Sequence, residues 1–211
     1  MASISVLGAG RMRGALLRLV VGATILGLSL YFIALNLHFF ELTREELGKY
    51  FDVRALLLLH ISGGAVALLT GPFQFWETLR NRRLALHRAM GKVYVVAIVV
   101  SAPCAGYLSL TTAYLVGRPY ALSLHAWVTV WMISTWLAYR YARQRKIKLH
   151  KEWMVRSYLV TLAFVISALL HKLPFVASQG SFAEVSPGLF WAGWSIPLFV
   201  FDVVLSVQRR T

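Results

Sequence analysis

Residues 55–76 read ALLLLHISGGAVALLTGPFQFW, a stretch without a charged side chain and with one histidine, His60. A helix rising 1.5 Å per residue needs roughly 20 such residues to cross a hydrocarbon core about 30 Å thick. Runs of the same length and character recur near 19–39, 93–114, 121–139, 153–173 and 188–207. The expectation is an all-α membrane protein, a bundle of six transmembrane helices. Composition agrees: 58% of the 211 residues are hydrophobic and the mean hydropathy is +0.65, above the apolar share of a soluble domain. No linker of biased composition divides the chain, so residues 1–211 are read as one integral membrane domain. Short loops leave no room for a soluble catalytic unit. The first apolar run lacks a small-residue cleavage site and is long enough to span, so it is expected to stay as the first helix.

The net charge of +14 would suit a nucleic-acid binder, but its distribution excludes that reading. Arg11, Arg13 and Arg18 precede the first run; Arg80, Arg82, Arg83, Arg88 and Lys92 follow the second; Arg140, Arg143, Arg145, Lys146, Lys148 and Lys151 follow the fourth; Arg209 and Arg210 follow the sixth. The alternate connections hold Arg44, Lys49, Arg54, Arg118 and Lys172, with Glu41, Glu45, Glu46 and Asp52 among the first three. Cytoplasmic loops carry the excess of Lys and Arg, so both chain ends and the two basic loops are expected on the cytoplasmic side. Those loops should also attract anionic lipid headgroups. The single cysteine, Cys104, excludes an internal disulfide and covalent c-type haem attachment.

The six histidines fall on this topology in layers. His60 and His125 lie roughly 8–9 Å below the outer surface, near the starts of the second and fourth spans. His87 and His150 open the third and fifth at the inner interface. His60 and His87 are 27 residues apart, and His125 and His150 are 25, so the central four helices read as two similar hairpins. His38 and His171 sit at outer helix ends. A neutral imidazole on each of two facing helices is what a haem b iron takes as axial ligands. His60 with His125, and His87 with His150, are therefore the candidate ligands of one or two haems. Arg88, Lys151 and Arg156 are candidate partners for inner-haem propionates. Gly63 and Gly64 would let a porphyrin approach the helix, or would serve helix packing. Interfacial histidines also serve as plain anchors, and Arg156 stands at the depth of Asp202, where an ion pair would form equally well. Trp127, Trp131, Trp136, Trp191 and Trp194 are read as packing or lipid-facing residues without chemistry.

His60 followed by Gly71-Pro72-Phe73-Gln74-Phe75, then Leu86-His87-Arg88 with Gly91 and Tyr94, then His150 followed by Trp153-Met154-Val155-Arg156-Ser157-Tyr158, resemble domain-of-unknown-function family 2306. That resemblance implies a bundle in the bacterial cytoplasmic membrane and no particular activity. It covers roughly residues 55–175 and includes His60, His87 and His150, but not His125. In arrangement alone, the histidines are similar to those of six-helix dihaem b cytochromes that take electrons from ascorbate. There the second and fourth helices hold one haem and the third and fifth the other.

The function expected from these features is transmembrane electron transfer by a b-type cytochrome. The alternative is a small transporter or scaffold whose histidines bind a proton, a metal or nothing. The donor and acceptor, a quinol or a small reductant, and assembly as a homodimer are left open by the sequence.

Overall fold

A computed structural model of the chain describes residues 2–209, with side chains described for residue 14 and for 16–209. The side chains of Arg11 and Arg13, and Arg210, lie outside the described residues. Six long helices carry the fold: α1 (Ala2–Leu35), α2 (Arg54–Gln74), α3 (Leu84–Leu110), α4 (Arg118–Arg143), α5 (Ile147–His171) and α6 (Phe182–Gln208). All six are long and apolar enough to cross a membrane, and no strand occurs among the described residues.

The helices run alternately up and down, joined by short connections. α4 starts after Gly117, whose φ of 154° few side chains tolerate, and has Pro119 in its first turn. α6 starts at a capping box, with the Ser181 hydroxyl and Glu184 carboxylate each serving the other's backbone. The turn from α4 to α5 uses Arg145 at φ 59°. Between α1 and α2 the chain folds into short helical turns across the bundle end, where Phe39, Tyr50 and Phe51 pack over Leu47, Leu57 and Leu108.

α2, α3, α4 and α5 form a closed ring in which each helix touches the next and α5 returns to α2. α6 packs outside on α4 and α5, and α1 on α2 and α5. Lipid tails are as apolar as leucine, so helices in a bilayer gain little from hiding apolar side chains and are held by close packing and hydrogen bonds. Small residues accordingly mark the contacts. Gly63 lies so close to α3 that an added Cβ would stand 2.7 Å from the Ala97 carbonyl oxygen. Gly71 receives the ring of Tyr158, whose hydroxyl donates to the Leu68 carbonyl at 3.1 Å. The core between these contacts holds Tyr94, Ile98, Trp127, Trp131, Tyr158 and Val160.

At one end two ion pairs hold the outer helices inward, one to α5 and one to the connection between α2 and α3. Arg209 pairs with Glu152 at 2.7 Å, and Arg18 lies 3.9 Å from Glu77. Both connections rich in arginine and lysine lie at this end, which is called the basic end below.

Candidate functional site

At the far end of the bundle a cavity of about 440 Å³ opens among all six helices. Its wall includes Phe32 of α1, His60 and Gly64 of α2, Leu108 of α3, Trp127 and Trp131 of α4, Thr161 and Phe164 of α5, and Phe190 of α6. The size is that of a small-molecule or cofactor site, and the mostly apolar wall with few polar groups is typical of one.

His60 is the histidine on that wall. Its Nδ1 lies 2.9 Å from the Ser101 hydroxyl oxygen on α3, and the same hydroxyl donates to the His60 main-chain carbonyl at 2.8 Å. A serine has one hydroxyl hydrogen. The carbonyl takes it, so Nδ1 must be the donor to the serine oxygen and Nε2 keeps a free lone pair. The ring meets Trp131 edge-on at 6.4 Å and Phe164 at 5.8 Å. The two glycines expected near His60 divide the work: Gly63 packs on α3, while Gly64 borders the cavity with no atom nearer than 4.0 Å to a built Cβ.

His125 lies on α4 but is not part of the cavity wall. Its ring sits 5.8 Å from Tyr114, in the connection between α3 and α4, and its Nε2 is enclosed without a hydrogen-bond partner among the described residues. His38 is tied to the Leu35 carbonyl, and His171 pairs with the Ser186 hydroxyl and stacks on Phe182. Neither borders the cavity.

At the basic end, His150 Nδ1 donates to the Ala138 carbonyl at 2.9 Å, which leaves its Nε2 lone pair free. His87 is within electrostatic reach of His150, Arg80 and Arg88. Its Nδ1 is enclosed and has no partner among the described residues. His87 and His150 thus both lie at this end, near the starts of α3 and α5. Arg88 and Lys151 are exposed beside them. Arg156 is paired with Asp202 of α6, with its guanidinium 4.8 Å from the Trp153 ring centre and 5.0 Å from that of Phe201. The ion pair weighed for Arg156 is thus present.

Between the levels lies a buried hydrogen-bond lattice that the sequence reading missed. Trp131 Nε1 donates to Thr161 Oγ1 at 2.8 Å; the Tyr94 hydroxyl lies 3.1 Å from Thr161 and 2.8 Å from Ser157; Ser157 lies 2.7 Å from Thr135. Trp127 Nε1 donates to the Val160 carbonyl at 3.1 Å. Trp127 and Trp131, read as lipid-facing or plain packing residues, are thus fully buried and hydrogen-bonded, whereas Trp136 and Trp191 are exposed as expected. The signal was present as helical spacing: His150, Ser157 and Thr161 on α5 follow at steps of seven and four residues, and His87, Gly91 and Tyr94 on α3 at steps of four and three.

Among the described residues no three His, Cys, Asp or Glu side chains gather around one point. One or two imidazoles per level are too few for a bare structural metal ion, which takes four ligands. A haem iron, whose macrocycle supplies the equatorial nitrogens, takes only one or two axial ligands from the protein.

No curated protein and no solved structure matches the chain. The family described as predicted membrane protein (DUF2306) matches residues 57–205. That match takes in all four histidines of the two levels and five of the six long helices, and the chain belongs to this family of membrane proteins.

Proposed function

We propose that this protein carries electrons across a membrane as a b-type cytochrome. One haem would occupy the cavity at His60; His125 of α4, whose ring lies against Tyr114 outside the cavity wall, would have to turn inward to serve as its second imidazole. Another would be held between His87 and His150, with Arg88 and Lys151 flanking its propionates. The basic end faces the cytoplasm of a bacterial cell in this reading, as its arginines and lysines favour, and anionic lipids gather around it. When bound, haem supplies a one-electron iron couple.

The chain's own residues do the rest. The observation that carries the reading is that an imidazole on each level is held by its Nδ1–H, His60 by Ser101 and His150 by Ala138, leaving Nε2 free. That is how iron- and zinc-ligating histidines are fixed in tautomer and direction. The aromatic wall of Trp127, Trp131 and Phe164 supplies flat apolar surface at the far level.

The test is a reduced-minus-oxidised absorption spectrum of detergent-purified protein with a pyridine haemochrome count. Sharp b-type bands at two haems per chain support both levels, and loss of one haem in His150→Ala places it at the basic end. A protein purified with haem supplied during expression and still colourless would sink the proposal and leave a haem-free transporter or scaffold.

A further inference from the structure

Gln74 is the last residue of α2, and it is buried in the inner part of the ring. Its Nε2 has no partner among the described residues. Such an orphan is rare in a folded protein and points to a group that completes it. The carboxamide rests against α3, where its Oε1 lies 3.0 Å from the place a Cβ on Gly91 would take. His87 precedes Gly91 by four residues on that helix, one turn nearer the basic end and on the same face. The enclosed Nδ1 of His87 thus belongs to a residue one helical turn from the one that Gln74 touches, on the same face of α3.

Three histidines can be compared. His60 has the Ser101 oxygen at Nδ1 and His150 has the Ala138 carbonyl, while His87 has neither hydroxyl nor carbonyl there. To present Nε2 as a ligand, His87 must carry its hydrogen on Nδ1, and that hydrogen needs an acceptor. The oxygen and nitrogen of a carboxamide exchange places on a half-turn of its last torsion. One water between the two groups would serve equally, accepting from both nitrogens.

We infer that Gln74 is a positioning residue for His87: its carboxamide completes the hydrogen bond at Nδ1, directly or through one water, and so sets the direction and basicity of Nε2. This rests on the haem reading for the ligand that Nε2 meets. It does not rest on it for the pairing itself.

The experiment uses the full chain, purified with haem, as Gln74→Leu and Gln74→Glu. A stronger acceptor at Nδ1 makes the imidazole a better donor to ferric iron, and its loss does the reverse. The inner haem's midpoint potential should therefore fall in Gln74→Glu and rise in Gln74→Leu, with haem content kept and the outer component unmoved. Shifts of the same sign, or no shift in either, would overturn the inference, since a packing defect has no reason to produce opposite signs. In parallel, ¹⁵N spectra of histidine-labelled protein, assigned by comparison with His87→Ala, read the tautomer of His87. A bonded Nδ1–H that is lost in Gln74→Leu supports the pairing even in a colourless protein, and an unchanged His87 signal counts against it. A colourless wild type would defeat the haem reading alone.

Discussion

The Thr161 hydroxyl accepts the Trp131 indole hydrogen at 2.8 Å and stands 3.1 Å from the Tyr94 phenol, while its own hydrogen goes to the Ser157 carbonyl at 2.9 Å. One side chain on α5 thereby holds α3 and α4 through a single oxygen. Thr161→Val keeps the shape and removes that oxygen, stranding the buried Trp131 N–H at a cost of about 1–3 kcal/mol. The melting temperature in detergent should fall. Thr161→Ser should stay near wild type, and equal melting of the Val and Ser variants would show that the lattice adds no stability.

Gly63 and Gly64 are adjacent yet should respond in opposite ways. A methyl at Gly63 meets the Ala97 oxygen at 2.7 Å and Ser101 Cβ at 2.8 Å, so α2 and α3 must part, with a loss of roughly 1–3 kcal/mol. Gly64→Ala has room at the helix surface and should leave the melting temperature alone while narrowing the cavity. Haem content measured on both separates the effects: the first variant should lose stability, the second haem.

Ser101→Ala removes the acceptor that holds His60. Outer partners of this kind are worth about 10–100-fold in the affinity of a bound metal group. Titrating haem into the apo protein should show that loss at one site only. An unchanged affinity would mean that Ser101 serves helix packing alone.

Arg156 and Asp202 join α5 to α6 at a depth where an unpaired charge is costly. Asp202→Leu should lower stability by about 1 kcal/mol, the scale of polar pairs between membrane helices. Arg156→Leu combined with Asp202→Leu should recover most of that loss. A double variant no more stable than the single would argue that the pair is not coupled.

Each of the six spans could be read from run length alone, because crossing a bilayer is a matter of counting apolar residues. Their ends could not. α6 begins at Phe182, although its apolar run starts near 188. Hydropathy senses where lipid stops, whereas a helix continues into water until a cap or turn ends it. The level of each histidine was legible for the same reason as the spans. The direction of each ring was not: Ser101 holds His60 at the cavity wall, whereas His125 lies against Tyr114 of the connection at 112–115. Trp131 and Trp136 show a related blindness. Lipid and protein interior are both apolar, so hydropathy cannot say which of two tryptophans on one helix faces inward, and hydrogen-bonding neighbours decide it.

Ser101 touches both the ring and the main chain of the residue it serves, and Gly63 brings its helix near enough for this. The address of the His60 imidazole is thus written on α3 rather than on the helix that bears it. Anyone grafting this histidine into another scaffold would have to move residues 54–110 as a unit, since a copied α2 would arrive with its ring unaimed. A one-residue slip between the two helices would likewise release ring and carbonyl together, so the hairpin has one working register and no graded ones.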